Sequence, residues 1–214
     1  MARKKEQPEV DWFRLDDHIL IKAHLKGDAV AFEVLFKKHR EQVARLVYSI
    51  VKDEALTEDI VQDVFLLVYR NLPKFRGDAA FKTWVYRIAV NEAMRQMSKA
   101  RRWSSLPQER AESLSLPPTI LTFQEGDSPE RVLIEGEQRH LIQEALDSLK
   151  ANHRIILTLY YLEDLSVQEI AQVLDIPEGS VKSRLYYARD NLKKALEPLL
   201  GREHPAGREE NHVV

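Results

Sequence analysis

Between Phe81 and Trp103 the chain sets two aromatic side chains, Trp84 and Tyr86, among Lys82, Arg87, Arg95, Lys99, Arg101 and Arg102, with Glu92 as the only acid. Aromatic faces on which bases stack, beside cations that attract phosphate, are what holding single-stranded nucleic acid requires. Asn91 lies in the same stretch, and its amide offers a donor and an acceptor to a base edge. Asparagine is a poor choice for a helix interior, so propensity does not account for it. Arg95, Lys99, Arg101 and Arg102 suit phosphate, a contact that positions a protein without reading sequence. Trp84 is equally consistent with core packing. A second basic run carries Lys182, Arg184, Arg189, Lys193 and Lys194 against Asp190. Between them, from Ser104 to Glu137, Glu109, Glu112, Glu125, Asp127, Glu130, Glu135 and Glu137 face only Arg110 and Arg131. The formal net charge of -2 therefore conceals two basic segments flanking an acidic one.

A third constellation is polar. Asp59, Gln62 and Asp63 stand at i, i+3 and i+4 and so share one helix face, while Ile60, Val61, Val64 and Leu67 point mainly elsewhere. A solvated acidic stripe would look the same. A carboxylate metal site would need further ligands, and no nearby histidine completes one. Enzyme chemistry finds no foothold. The seven histidines, His18, His24, His39, His140, His153, His204 and His212, form no HExxH pairing, and no GxSxG, Walker or GxGxxG signature occurs. Without cysteine there is no disulfide, thiolate metal site or thiol nucleophile. Neither metal nor cofactor is expected.

The elements that must position these residues are helices. Asp16-Asp17 starts one, with Ile19, Leu20, Ala23 and Leu25 on one face before Gly27 ends it. Asp28 caps the next, in which Phe32, Leu35, Phe36, Val43, Leu46, Val47 and Ile50 recur at helical spacing. A third runs from about Leu56 to Leu72, stopped by Pro73, and a fourth from about Ala79 to Arg101. From Ser104 to Ser128 the chain is acidic and rich in proline and serine without a sustained period, which reads as an interdomain linker. Helical periodicity returns near Pro129, with apolar stripes at Leu141, Ile142, Ala145, Leu146 and Leu149, then Ile155, Ile156, Leu159 and Tyr160. The expected fold is all-α: two small helical domains, 16–103 and 129–200, joined by a flexible acidic linker over 104–128.

The segment SVQEIAQVLDIPEGSVKSRLYYARDNL, Ser166 to Leu192, is the most specific. Ser166 and Glu169 make a capping box. Ile170 and Val173 point inward, small Ala171 allows a close crossing, and Leu174, Ile176 and Pro177 make the turn. Val181, Leu185, Ala188 and Leu192 then form an inward stripe that leaves Lys182, Ser183, Tyr186, Tyr187 and Arg189 outside. This is the helix-turn-helix pattern, whose second helix enters the major groove at its N-terminal part, where Ser180 stands. An ordinary helical hairpin with a solvated basic face is the plainer alternative.

Taken together, DIVQDVFLLVYRNLPKFRGDAAFKTWVYRIAVNEAMRQMSKARR (Asp59 to Arg102) resembles regions 2.2 to 2.4 of extracytoplasmic-function (ECF) sigma factors. The preceding GDAVAFEVLFKKHREQVARLVYSIV is similar to their regions 1.2 and 2.1, and LIQEALDSLKANHRIILTLYYLEDLSVQEIAQVLDIPEGSVKSRLYYAR to region 4. The resemblance covers about residues 16–200 in order. It implies a subunit that binds core RNA polymerase through Asp59, Gln62 and Asp63. It also implies −10 contacts by Phe75, Trp84, Arg87 and Asn91, with Phe75 and Asn91 forming a pocket for a flipped base. In the second domain it implies −35 contacts by Ser180, Lys182, Ser183, Tyr186 and Tyr187, with Arg184 and Arg189 nearer phosphate or structural partners. Many relatives read SRLxRAR where this chain reads SRLYYAR, so Tyr187 stands where arginine is frequent. Arginine reads guanine bidentately and tyrosine cannot. An anti-sigma partner is implied as well, and any membrane anchor must belong to it, because no apolar run here approaches the roughly 20 residues of a span. With no apolar stretch after the basic N-terminus to suggest a secretory signal, a cytoplasmic protein is expected. A two-domain helix-turn-helix regulator of the LuxR or response-regulator class is the alternative, although the first half lacks a receiver domain's alternation of strand and helix.

Overall fold

A computed structural model describes residues 12–103 and 140–200, and among these there are helices and turns but no strand. They fall into two compact units, the first made by residues 12–103 and the second in the main by 140–200. The expected linker, 104–128, lies outside the described residues.

In the first unit the first three helices each begin where an aspartate caps them. A short 3-10 turn, Trp12–Arg14, precedes α1 (Asp17–Leu25), whose N-cap Asp16 accepts from the His18 N–H at 3.1 Å. Gly27, at φ +100°, reverses the chain, and Asp28 caps α2 (Ala29–Val51) by accepting from Val30. Asp53 does the same for α3 (Glu54–Asn71), accepting from Leu56 at 2.8 Å. These caps satisfy N–H groups that a first turn otherwise leaves without a partner. A 3-10 turn with Pro73 follows α3, Gly77 at φ +79° turns the chain again, and α4 (Phe81–Trp103) completes the unit.

The core explains the arrangement. α2 lies against α1, α3 and α4, and α3 against α4. Leu35, Leu46, Val47 and Ile50 of α2, Ile60, Val64 and Val68 of α3, and Val85, Ala89 and Ala93 of α4 are fully enclosed. Two expectations need correction. Ile19 and Leu25 are about half exposed, and the buried pair on α1 is Leu20 and Ile21, so the inward face is rotated from the one the apolar residues suggested. Tyr86, expected beside Trp84 as a stacking surface, is wholly buried, with the Lys82 ammonium 5.4 Å from its ring.

The second unit starts with α5 over residues 140–148, followed by α6 (Ala151–Leu157). The α5 stripe is only partly enclosed: Ala145 and Leu149 are buried, while Ile142 is exposed. A π-helical turn, Thr158–Leu162, which the sequence did not announce, continues α6. α7 (Val167–Leu174) and α8 (Glu178–Leu200) then form the helix-turn-helix, and α6 packs along α8. Ser166 and Glu169 make the capping box in both directions. Asp175, in the left-handed region at φ 54°, ends α7, and the carbonyl of Pro177 receives the N–H groups of Ser180 and Val181 as α8 begins.

Candidate nucleic-acid and polymerase interfaces

On α3, Asp59 and Gln62 are exposed and Asp63 is half-buried, while Ile60, Val61 and Val64 turn inward as their spacing required. With Leu56, Leu66 and Gln96 they line a shallow groove. Leu66, 53% exposed, is the residue sequence reasoning missed. It sits seven residues after Asp59, hence on the same face, but an isolated leucine inside an apolar helix gives no signal that it points outward.

Arg95 is drawn toward that groove. Its guanidinium is bonded through both Nε and Nη2 to Glu92, which is itself almost fully buried, and it feels the charge of Asp63. The hydrogen bond from Arg95 holds the Glu92 carboxyl below its ordinary value, against the upward push of burial. This arginine therefore neutralises a buried acid, a role with a different geometry from the phosphate contact expected of it. Lys99 is exposed, and the side chains of Arg101 and Arg102 lie outside the described residues.

Phe75, in the turn before α4, and Trp84 are both half-buried and belong to an aromatic cluster. Phe75 lies 5.1 Å from Trp84 and 5.7 Å from Phe81, ring centre to ring centre, and Trp84 lies 5.9 Å from Phe81. His18 of α1 stacks on Phe75 at 6.3 Å, and His39 of α2 meets Phe81 edge-on at 5.2 Å. Trp84, Arg87 and Asn91 follow at i, i+3 and i+7 on α4, and the last two are exposed. Core packing and surface display are thus both realised in Trp84.

His18 and His39 were passed over in the sequence because neither has a metal-ligand partner at short spacing. Tertiary contact gives His39 an acidic partner. Asp17 accepts from Lys38 Nζ at 2.8 Å and pairs with His39 Nε2 at 2.7 Å, while Lys38 also donates to the Leu15 carbonyl. Burial pushes the Asp17 carboxyl up, but the hydrogen bonds from His39 and Lys38 outweigh it and leave the group at about 2. The cluster ties α1 to α2 next to Phe75 and Phe81. Among the described residues no group of three or more His, Asp or Glu is placed to hold a metal ion.

On α8, Val181, Leu185 and Ala188 are buried, Leu192 is half-buried, and Lys182, Ser183, Arg184, Tyr186, Tyr187 and Arg189 are exposed, with Ser180 intermediate. Not all of these are equally available. The Ser183 hydroxyl donates to the Gly179 carbonyl at 2.8 Å. The Arg189 guanidinium lies over the rings of Tyr160 and Tyr161, at 5.2 and 5.5 Å, and so clamps α8 to the π-helical turn. Of the two roles expected for Arg189, the structural one is what the geometry displays.

The comparisons with known proteins fall in line with this layout. Residues 35–103 match the family model of sigma-70 region 2, and residues 139–192 that of sigma-70 region 4. The ECF RNA polymerase sigma-E factor of Escherichia coli K12 is 35% identical over 190 residues, covering 88% of this chain and 98% of that protein. The RNA polymerase sigma-H factor of Pseudomonas aeruginosa is 34% identical over 184 residues, covering 86% and 95%. In fold the chain is similar to the sigma factor RpoE of Bartonella quintana, solved in complex with the anti-sigma factor NepR, at TM-score 0.62 and 23% identity over 77% of this chain and 96% of that one. It is also similar to CnrH, solved with the cytosolic domain of CnrY, at TM-score 0.56 and 22% identity over 88% and 99%. Two helical units carrying regions 2 and 4 in this order define a sigma-70-type initiation factor. The chain belongs to the ECF family of RNA polymerase sigma factors, alternative sigma factors that direct transcription initiation. The LuxR-type alternative is not favoured, since the first unit matches region 2 and its described residues contain no strand.

Proposed function

We propose that residues 16–103 dock on core RNA polymerase through the α3 face of Asp59, Gln62 and Asp63, with Leu66 as an apolar anchor, and capture unpaired −10 bases. In this reading Phe75, Trp84 and Asn91 receive a flipped base, and Arg87, Lys99, Arg101 and Arg102 hold its phosphates, with Arg95 positioned by Glu92. Residues 129–200 bind the −35 duplex through α8, using Ser180, Lys182, Ser183, Arg184, Tyr186 and Tyr187. Residues 104–128 link the two. The observation that carries the assignment is the aromatic cluster of Phe75, Phe81 and Trp84, left half-open beside a helix face that also exposes Arg87 and Asn91. A flipped base needs a stacking surface and a hydrogen-bonding partner together.

The protein acts by binding alone, without catalysis or cofactor, and works in the cytoplasm with the polymerase. Among the described residues no helix is long and apolar enough to cross a membrane. An anti-sigma protein restrains it by covering the core-binding and DNA-binding faces, a proposal supported by the similarity in fold to RpoE, which was solved with NepR. The test combines a core polymerase pull-down with in vitro transcription on a genomic template library and start-site mapping. The expected result is retention on core and a shared promoter sequence upstream of the mapped starts. A chain that shifts an operator by itself and ignores core would sink the proposal.

A further inference from the structure

The outward side of α8 carries two adjacent stripes: Lys182, Tyr186 and Arg189 at i, i+4 and i+7, and Ser183, Tyr187, Asp190 and Lys194 at i, i+4, i+7 and i+11. On the second stripe Lys194 Nζ is bonded to Asp190 at 2.7 Å, and the Ser183 hydroxyl is turned back to Gly179. On the first, Arg189 is held over Tyr160 and Tyr161. What these interactions leave on the two stripes is Lys182 toward the start of the helix and, at the centre, two aromatic rings. Tyr186 and Tyr187 are 70% and 59% exposed, and their rings meet edge-on at 5.5 Å. That contact limits the freedom of two rigid side chains that no part of the described fold encloses.

Base edges in the major groove present hydrogen-bonding groups on every base, but an apolar group only on thymine, its C5-methyl. Reading guanine takes the paired donors of an arginine or lysine, whereas a phenol has one. We infer that Tyr187, buttressed by Tyr186, reads a thymine of the −35 duplex through its C5-methyl group, so that this sigma factor selects T·A over G·C at that position. The inference rests on the assignment of α8 to the −35 duplex proposed above and names the base it recognises.

The test uses holoenzyme assembled from the full chain and a bacterial core RNA polymerase, with a −35 element selected from a randomised library. Each thymine of that element is then replaced by deoxyuridine, which removes the methyl group and keeps every hydrogen-bonding group. At one position the replacement weakens wild-type holoenzyme binding about fourfold, the worth of burying one methyl-sized group. Holoenzyme carrying Tyr187→Ala binds more weakly and is indifferent to the replacement there, while Tyr187→Phe keeps both wild-type affinity and wild-type sensitivity. A selected element without thymine, a wild-type holoenzyme indifferent at every thymine, or undiminished sensitivity in Tyr187→Ala would each overturn the inference. Core binding and start sites are read in the same reactions. Their persistence alongside any of those results means that only the thymine assignment has failed, and their absence in the wild type overturns the sigma reading with it.

Discussion

Asn91 and Asp17 show two ways in which a single residue can matter here. Asn91 is exposed in mid-helix, where its amide contributes nothing to the core and is free to meet a base. Asn91→Ala is expected to leave holoenzyme formation unchanged and to lower open-complex formation about tenfold, the scale of one good base contact. Reactivity of unpaired −10 thymines to permanganate measures it. Asp17 acts through the fold. Its carboxyl lies at about 2 against an ordinary 3.8, so its contribution is complete at neutral pH and is lost as pH falls from the ordinary value through the folded one. Asp17→Asn is expected to cost about 1–2 kcal/mol at pH 7, read from urea unfolding, with the difference from wild type closing near pH 2. Asn91 was legible in the sequence because its type conflicts with helix propensity. The partners of Asp17 were not, since Lys38 and His39 stand on another helix, more than twenty positions away.

At the scale of elements, local chemistry decided most boundaries. Asp16, Asp28 and Ser166 each cap the helix that sequence reading attached to them, and α8 begins at Glu178, directly after the turn expected at Leu174, Ile176 and Pro177. Ser166→Ala removes one half of the α7 capping box and is expected to cost about 1 kcal/mol in thermal unfolding. Because α7 opens the helix-turn-helix, the same change should weaken holoenzyme binding to the −35 duplex while sparing core binding. The π-helical turn Thr158–Leu162 had no such signature: its register follows from packing, and the stacking of Tyr160 and Tyr161 with Arg189 appears only once α8 is in place. Helix faces were harder to read than helix ends. α1 has apolar residues around much of its circumference, so spacing alone could not separate buried Ile21 from exposed Ile19.

For the whole molecule, charge is segregated along the chain so that an acidic face on α3 and two basic segments coexist at a net charge of -2. Free protein should therefore bind promoter DNA weakly and with little sequence preference. Its affinity should fall steeply as salt rises, because each phosphate contact releases a counterion. With core polymerase present, binding should become promoter-specific over the same salt range, and fluorescence anisotropy with and without core checks both. The sequence by itself determined the helical class, the order of the two units, the helix-turn-helix and which residue types stand on the basic helices, because periodicity, caps and turns are local properties of the chain. Only the tertiary structure decided which of the candidate aromatics and cations stay available. Tyr86 is taken by the core and Arg189 by two tyrosines of another element, whereas Trp84, Asn91 and Tyr187 keep exposed surface. Burial and contacts between elements depend on neighbours brought together by folding, and residue type and spacing do not encode them.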